Sequence, residues 1–439
     1  MIPSEIRSLM KKIEENGFQI YAVGGYVRDH LLNIQNNDYD LCTNCDLNEI
    51  KKLYPELVIM KENSNRNTGV LRINNVDVEI STFKSDNLEE DLKKRDFTID
   101  SIVMDSNGSI KDYLNGIDDL KNKVIRLCDE SGKGLVADPL RILRAIRIAS
   151  IYNFDISPSL KEKMLENKEL LKSVSVERIL RELSLILLSD KPGKYLREYR
   201  EIFAIIIPSL EKTFDFNQNN PYHIYDVFEH TLRVVDNTEK NIILRYAALF
   251  HDIGKPENYT VDSNGKGHFY NHAYTSSKIF NDFARQYKMD NKTRERINKL
   301  IMCHDYELSV KEIKMKNYII MLGIENVELM FKLKAADILA QNPEYIYRLE
   351  ALKETAEIYQ RLISSKPCLS TKDLELNGYD LVGMGYRGNE IGKKLNEIFS
   401  LVLKEQLQNN REKLLDFAYQ SKEENEIIRL WKELKYDWL

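Results

Sequence analysis

No apolar run in these 439 residues approaches the roughly 18 that a membrane-spanning helix needs. The longest, Ile202 to Ile207, stops at Pro208, so no membrane partner is expected. The amino terminus, MIPSEIRSLMKKIEENG, lacks the apolar stretch of a signal peptide. With only five cysteines, the chain reads as one kept in a reducing, cytoplasmic setting rather than built on disulfides. Cys42-x-x-Cys45 is half of a zinc motif, and the next cysteine, Cys128, is too distant to complete it. An excess of charge of either sign is missing too: 64 Lys+Arg stand against 69 Asp+Glu, a net of −5. Global charge therefore does not mark a nucleic-acid partner, and any RNA-binding surface has to be local. No repeat or low-complexity tract stands out. The length exceeds what one core holds, and two to four domains are expected.

What is present begins with a short apolar run, Phe18 to Val23, which reads as a buried strand. Gly24-Gly25 follows, then a helix-like run from Tyr26 to Leu32. Paired glycines at a strand end let backbone N–H groups approach an anion, and the following helix adds its positive end. Asp38-Tyr39-Asp40 then reads as the start of a second strand, where the period of two sends both carboxylates to one face. Two hard oxygen ligands beside a phosphate cradle suit Mg²⁺, and the combination reads as phosphoryl or nucleotidyl transfer. Thr68 to Ile73 and Val76 to Phe83 alternate as a hairpin around Asn74-Asn75. Glu79 in the second strand is either a third carboxylate near the metal or a solvated edge residue. An apolar strand at Ile102 to Met104 completes a small α/β head.

After Gly132-Lys133-Gly134 the pattern turns helical. Asp138-Pro139 reads as an N-cap with proline at the first helical position. Asp138 and Arg141, three apart, share a face, and an acceptor beside a donor fork matches a nucleobase edge such as that of cytosine. Arg141, Arg144 and Arg147 recur at i, i+3, i+6 as a local basic stripe for phosphates. Glu177 to Leu183 opens another helix of mixed charge.

Gly24-Gly25-x-Val27-Arg28-Asp29, Asp38-x-Asp40, Lys94-Arg95-Asp96-Phe97-Thr98 and Asp138-Pro139-Leu140-Arg141 occur here in one order. In that order they resemble the bacterial class II tRNA nucleotidyltransferases, the CCA-adding family of the polymerase-beta superfamily. The likeness continues at Asn377-Gly378-Tyr379-Asp380-Leu381 and Gly388 to Gly392, and so spans nearly the whole chain. It implies that Asp38 and Asp40 are catalytic and hold Mg²⁺. Gly24, Gly25 and Arg28 would bind the triphosphate, Arg95 and Asp96 the nucleotide and its ribose. Asp138 and Arg141, flanked by Arg144, would pair with the base of CTP or ATP. The chain departs from the family twice. Ala137 stands where Glu usually precedes the template Asp. Only Lys84 to Glu90 separate Phe83 from Asp91, where CCA-adding members carry a longer flexible loop that helps the site accept ATP. CC-adding relatives lack that loop. A CC-adding enzyme is therefore expected, with a separate A-adding enzyme as partner on the same tRNA.

Six of the seven histidines fall between residues 223 and 304, namely His223, His230, His251, His268, His272 and His304. With Asp252 and Asp337 they form an imidazole–carboxylate set suited to a transition metal. Leu244 to Phe250 runs straight into His251-Asp252, so that pair should end an apolar helix. The pattern resembles the HD-type metal phosphohydrolases. That likeness implies one metal on His230, His251, Asp252 and Asp337, a second assisted by His272 and His304, and water activated against a phosphate ester. Lys255 would contact phosphate or face solvent. Near the carboxyl end, Ile427, Leu430, Trp431 and Leu434 read as the packing stripe of a final helix.

The expected fold class is α+β: a polymerase-beta-like head with a small mixed sheet over 1–128, a helical neck over 129–215, an HD domain over 216–345 and a helical, tRNA-binding body and tail over 346–439. The expected function is addition of cytidines to the tRNA 3′ end from CTP, with ATP as a further substrate if the full CCA is made. Alternatives are an HD phosphohydrolase whose head only positions RNA, a non-catalytic RNA-binding module, and a poly(A) polymerase relative.

Overall fold

The computed structural model describes residues 2–60 and 67–436, with side chains up to residue 423. The described residues fall into two compact units. One comprises 1–212 with 282–289, the other 213–281 with 290–439.

The first unit opens with α1 (Ser4–Glu15), which buries Ile6, Leu9, Met10 and Ile13 on one face, the i, i+3, i+4, i+7 spacing of an amphipathic helix. Then come β1 (Ile20–Val23), α2 (Gly25–Leu31), β2 (Tyr39–Thr43), α3 (Leu47–Leu53), β3 (Val58–Ile59), β4 (Thr68–Ile73), β5 (Val76–Thr82), α4 (Leu88–Lys93), β6 (Val103–Met104), β7 (Ile110–Lys111) and α5 (Gly116–Asn122). The strands form a seven-stranded mixed sheet ordered β3-β4-β5-β2-β1-β6-β7. The β4–β5 hairpin turns at Asn74 and Asn75, at φ 46° and 66°, the double left-handed turn that matches strand twist. β2 and β5 pair in parallel, and that register sets Asp40 beside Glu79.

A small parallel pair, β8 (Val124–Ile125) and β9 (Asp155–Ile156), brackets α6 (Lys133–Ala137) and α7 (Arg141–Tyr152). Here the structure departs from the sequence pattern. Asp138 is not the N-cap of α7; it closes α6 at φ −136° and ψ 88°, and α7 begins at Arg141 without a side-chain cap. Pro139 has no N–H to give a helix and disfavours helical backbone at the residue before it, so a turn separates α6 from α7. α7 is held instead by burial of Ile142, Leu143, Ala145, Ile146, Ile148 and Ala149. Each of the large side chains is worth about 1.5–3 kcal/mol on removal from water. α8 (Pro158–Glu166), α9 (Val176–Leu187), α10 (Pro192–Glu198) and α11 (Arg200–Ile206) follow.

In the second unit, α12 (Val227–Asn237) and α13 (Ile242–Phe250) lead to α14 (His272–Gln286), whose residues from 282 on count with the first unit, and then α15 (Asn291–Cys303), α16 (Glu312–Leu322), α17 (Ile324–Leu339) and α18 (Arg348–Ser364). Asn241 caps α13 by accepting from the Ile243 and Leu244 N–H groups, a contribution of about 1 kcal/mol. The helix buries its residues from Ile243 to Phe250 and ends, as expected, at His251. α19 (Gly378–Gly383), α20 (Asn389–Leu403) and α21 (Arg411–Tyr436) close the chain. They share a core that includes Leu376, Leu381, Ile398 and Leu414. The Asn377-Gly378-Tyr379-Asp380 motif forms a reciprocal capping box, and Arg411 pairs with Asp380. The stripe Ile427, Leu430, Trp431 and Leu434 lies outside the described side chains. No described helix is long and apolar enough to cross a membrane.

Candidate functional site

In the first unit the β1–α2 turn, β2, β5 and α7 surround a cavity of about 520 Å³ lined by Gly24, Gly25, Asp38, Asp40, Glu79 and Arg95 among others. Gly24 sits at φ 75°, ψ −144°, a region almost closed to side chains. A Cβ there would stand 3.2 Å from Asp40 Oδ2. The glycine is thus required by its backbone angle and by its closeness to the carboxylate. Gly24→Ala is expected to cost about 1–3 kcal/mol of stability through forced backbone strain, read as a lower urea midpoint, and to displace Asp40.

Asp38 lies just ahead of β2 rather than inside it. Its N–H is held by Asn36 Oδ1 at 2.8 Å, and both carboxylates still line the one cavity. Asp40 titrates far above an ordinary aspartate, at about 7. Burial pushes it up first, Glu79 and Asp38 add repulsion, and Arg95 offsets part of this. Crowded acids in a partly dry site fit a divalent cation that would neutralise them. Glu79, left open by sequence, lines this cavity in register with Asp40.

Arg28 is 7% exposed and already engaged. Its Nε donates to Asp29 Oδ1 at 3.0 Å, Nη1 to Asp100 at 2.6 Å and Nη2 to the Tyr152 hydroxyl at 2.6 Å. Asp96 stands between two arginines of α7, 2.8 Å from Arg141 Nε and 2.5 Å from Arg144 Nη1. Arg147 pairs with Glu182 at 2.7 Å. The arginine stripe is therefore not the open basic surface that its spacing predicts: each member is matched by an acid from another element. Asp138 lies 3.3 Å from Arg178 and 3.6 Å from Arg144. Arg141 also donates to the Lys94 carbonyl at 2.9 Å and passes over Gly134, where a Cβ would meet its Nη1 at 2.1 Å. Asn36, Gly134, Tyr152 and Arg178 escape sequence reading. Only Asn36, two residues before Asp38, carries a local signal, that of an Asx turn.

The second unit holds a cavity of about 780 Å³ around the histidines, with Lys255, Lys334, Arg348, Tyr270 and Tyr347 on its walls. Two ligand groups meet there, His230–His251–Asp252 and Asp252–His272–His304, each with its atoms within 4.8 Å. Asp252 is shared. Its Oδ2 lies 3.1 Å from His251 Nε2, and its Oδ1 lies 3.3 Å from His272 Nε2 and 3.5 Å from His304 Nε2. Asp337 stands 3.0 Å from His230 Nε2 but outside both groups, and Gln341 donates to its other oxygen at 3.0 Å.

The tautomers follow from the backbone. His230, His251, His272 and His304 place Nδ1 at 3.3, 2.7, 2.8 and 2.7 Å from the carbonyls of Ala340, Ala248, Phe269 and Ile301. A carbonyl only accepts, so each Nδ1 carries a proton and each ring turns its Nε2 inward. His272 Nε2 and His304 Nε2 face each other at 3.1 Å, and the buried Nε2 atoms of His230 and His251 point at carboxylates, 3.0 Å from Asp337 and 3.1 Å from Asp252. Opposed lone pairs repel unless a proton or cation lies between them. The donor set therefore fits a transition metal. Burial works against the Asp252 charge, yet His251 and Lys255 hold its carboxyl well below the usual range. Cys42 and Cys45 are buried and belong to neither ligand group among the described residues.

Three family models match successive parts of the chain. Residues 20–126 match the poly A polymerase head domain, 153–213 the RNA and SrmB-binding site of polymerase A, and 269–418 the tRNA nucleotidyltransferase domain 2. A CCA-adding enzyme of Streptococcus mutans is 26% identical over 95% of this chain and 98% of its own length. One from Streptococcus gordonii is 33% identical over 43% of this chain and 51% of its own. The fold matches that of the Bacillus stearothermophilus CCA-adding enzyme in complex with CTP, with a TM-score of 0.71, 23% identity, and 97% and 99% of the two chains covered. It also matches that of the Thermotoga maritima CCA-adding enzyme complexed with tRNA, with a TM-score of 0.58 and 20% identity over 96% of each chain. The three models follow one another along the chain as head, RNA-binding segment and tRNA nucleotidyltransferase domain, and together with the CCA-adding relatives matched over nearly their whole length they support assignment of the chain to the bacterial class II tRNA nucleotidyltransferases.

Proposed function

We propose that the chain transfers cytidylate from CTP to the 3′ end of tRNA and stops after two cytidines. The observation that carries the transfer is the convergence of Asp38, Asp40 and Glu79 with the Gly24–Gly25 turn in one cavity. The tRNA 3′-hydroxyl oxygen bonds to the α-phosphorus as the bond from that phosphorus to the α–β bridging oxygen breaks, pyrophosphate leaves and the hydroxyl proton passes to solvent. Mg²⁺, held by Asp38 and Asp40, would supply Lewis-acid stabilisation of the charge that develops. Gly25 and Gly24 bring main chain close to the phosphates. Arg95 and Arg144 line the same cavity and add positive charge. Asp138 and Arg141 would read the base edge by exchanging their present ion pairs with Arg178 and Asp96 for the base.

The stop after CC rests on the β5–α4 connection. It spans only residues 83–87 between the two elements. It is also pinned, since Lys84 N–H donates to Asp91 at 2.8 Å and Lys94 Nζ to the Lys84 carbonyl at 2.8 Å. A short tethered link cannot reshape the site for ATP as a long mobile loop would. The relatives' names speak of CCA addition, so the test must separate the two. Purified protein is incubated with tRNA ending at the discriminator base and with CTP, ATP or both. Two cytidines and no A are expected even with both nucleotides. Efficient A addition to a CC-ended tRNA overturns the stop while leaving nucleotidyl transfer intact, and a separate A-adding enzyme is the partner that the stop requires.

A second reading is favoured for the second unit by the inward-facing Nε2 atoms. There we propose an HD-type phosphohydrolase. His230, His251, His272, His304, Asp252 and Asp337 would hold a transition metal, which would supply an activated water for a phosphate ester. Lys255, 5% exposed and 2.7 Å from Asp252, anchors the shared carboxylate. Lys334 and Arg348 also line the cavity and would add positive charge for an anionic substrate.

A further inference from the structure

Helix α7 grips the head at both ends. Its first turns hold Asp96 through Arg141 and Arg144. Its last residue, Tyr152, lies against the residues behind the metal-site turn. The Tyr152 hydroxyl donates to Asp29 Oδ1 at 2.7 Å and accepts from Arg28 Nη2 at 2.6 Å, and the Arg28 guanidinium lies 4.4 Å from the Tyr152 ring centre. The other oxygen of Asp29 accepts from Asn36 Nδ2 at 2.6 Å, and Asn36 Oδ1 accepts from the Asp38 N–H at 2.8 Å. An unbroken chain of side-chain bonds therefore runs from the end of the helix that carries the base-reading residues to the main chain of a metal-binding carboxylate.

We propose that Tyr152 is a positioning residue of nucleotidyl transfer: through Asp29 and Asn36 it fixes the Asp38 turn for the metal. This rests on the reading of Asp38 and Asp40 as the metal-holding pair.

The roles within the chain are unambiguous in donor terms. Asp29, ionised, only accepts, so the phenol must give it its proton, and the phenol oxygen is then open to Arg28. Burial raises the phenol to about 12, so it keeps that proton throughout the working range. Asn36 must present its amide nitrogen to Asp29 and its oxygen to Asp38, an orientation only the carboxylate behind it dictates. Partners behind a metal ligand are typically worth about 10–100-fold in affinity or activity. Without the hydroxyl, Asp29 retains Arg28 and Asn36 but loses the bond that ties them to α7. The turn from 33 to 38, which is largely exposed, then keeps only the stacking of Arg28 on the ring of residue 152 as its link to the helix.

The test compares wild type, Tyr152→Phe, Asn36→Ala and the double variant, using CMP incorporation onto tRNA lacking its 3′ end during a MgCl₂ titration. Thermal melts with and without MgCl₂ run in parallel. Each single change is expected to raise the Mg²⁺ needed for half-maximal rate on the order of tenfold and to shrink the Mg²⁺-induced melting shift, while the KM for CTP stays near wild type. The double variant should be no worse than the weaker single one, because both act through one chain. A Tyr152→Phe protein with a lower melting temperature but a wild-type Mg²⁺ titration overturns the proposal, as does multiplication of the two effects. If wild type incorporates nothing, nucleotidyl transfer itself falls, and the melting shifts still decide the coupling of Tyr152 to the metal turn. Should Tyr152→Phe not fold, Asn36→Ala with an unchanged Mg²⁺ titration refutes the chain on its own.

Discussion

Replacing Asp40 by alanine is expected to lower nucleotide incorporation by at least about a thousandfold. A metal that loses one of its two main carboxylates loses several kcal/mol of transition-state stabilisation, and each 1.36 kcal/mol is a factor of ten. Asp40→Asn should do the same, since it keeps the shape and removes the charge. The pH dependence follows from the same crowding. In the metal-free protein the Asp40 carboxyl titrates at about 7 instead of near 3.8, because burial, Glu79 and Asp38 all disfavour its charge. A carboxyl raised on folding binds a proton more tightly folded than unfolded, so its contribution to stability falls as pH rises from about 4 to 7 and is level above. Mg²⁺ competes with that proton. The Mg²⁺-induced rise in melting temperature should therefore be large at pH 8 and small at pH 5.5. Asp40→Asn should melt higher than wild type at pH 8 without Mg²⁺ and gain little from adding it. A melting shift independent of pH would show that Asp40 does not hold the metal.

The second large effect is expected at Asp252, whose carboxylate links both ligand groups of the second unit. Asp252→Ala should remove the thermal stabilisation that Mn²⁺, Co²⁺ or Ni²⁺ confers and abolish hydrolysis of bis-p-nitrophenyl phosphate. Its cost to the metal-free fold should also be high. Lys255 Nζ, buried and 2.7 Å from Asp252, would lose its charge partner, and breaking a buried pair costs about 3–5 kcal/mol. His272→Gln is the gentler companion. It removes one inward lone pair and relieves the 3.1 Å opposition with His304, so it should weaken metal binding while leaving the metal-free protein as stable or more so. Wild-type metal response in both variants would remove the metal site. CMP incorporation that survives in Asp252→Ala while hydrolysis is lost would separate the two activities, as the reverse pattern in Asp40→Ala would.

Some of this protein is written locally, and those parts are legible in the sequence alone. The Asn74–Asn75 hairpin, the apolar run ending at His251-Asp252 and the Gly24–Gly25 turn each depend on neighbours within one or two turns of chain, where side-chain period and backbone angle act directly. Donor chemistry was legible as well, since residue type alone says which metal a carboxylate pair or a histidine set prefers. Tertiary structure decided what pairing over long sequence distance controls. Asp138 reads as a cap, but the Pro139 turn and Arg178, forty residues on, make it an ion-pair partner. The arginine stripe reads as open, but Asp96 and Glu182 neutralise it from 48 and 35 residues away. Tyr152 carries no signal at all, and its partner Asp29 is 123 residues distant. The inward turn of four Nε2 atoms depends on backbone carbonyls, which no residue type encodes. The sequence by itself determined which chemical groups the chain offers and in what order. Only the fold decided which of their charges are already spent on each other, because Coulomb and hydrogen-bond terms depend on distance in space and not on distance along the chain.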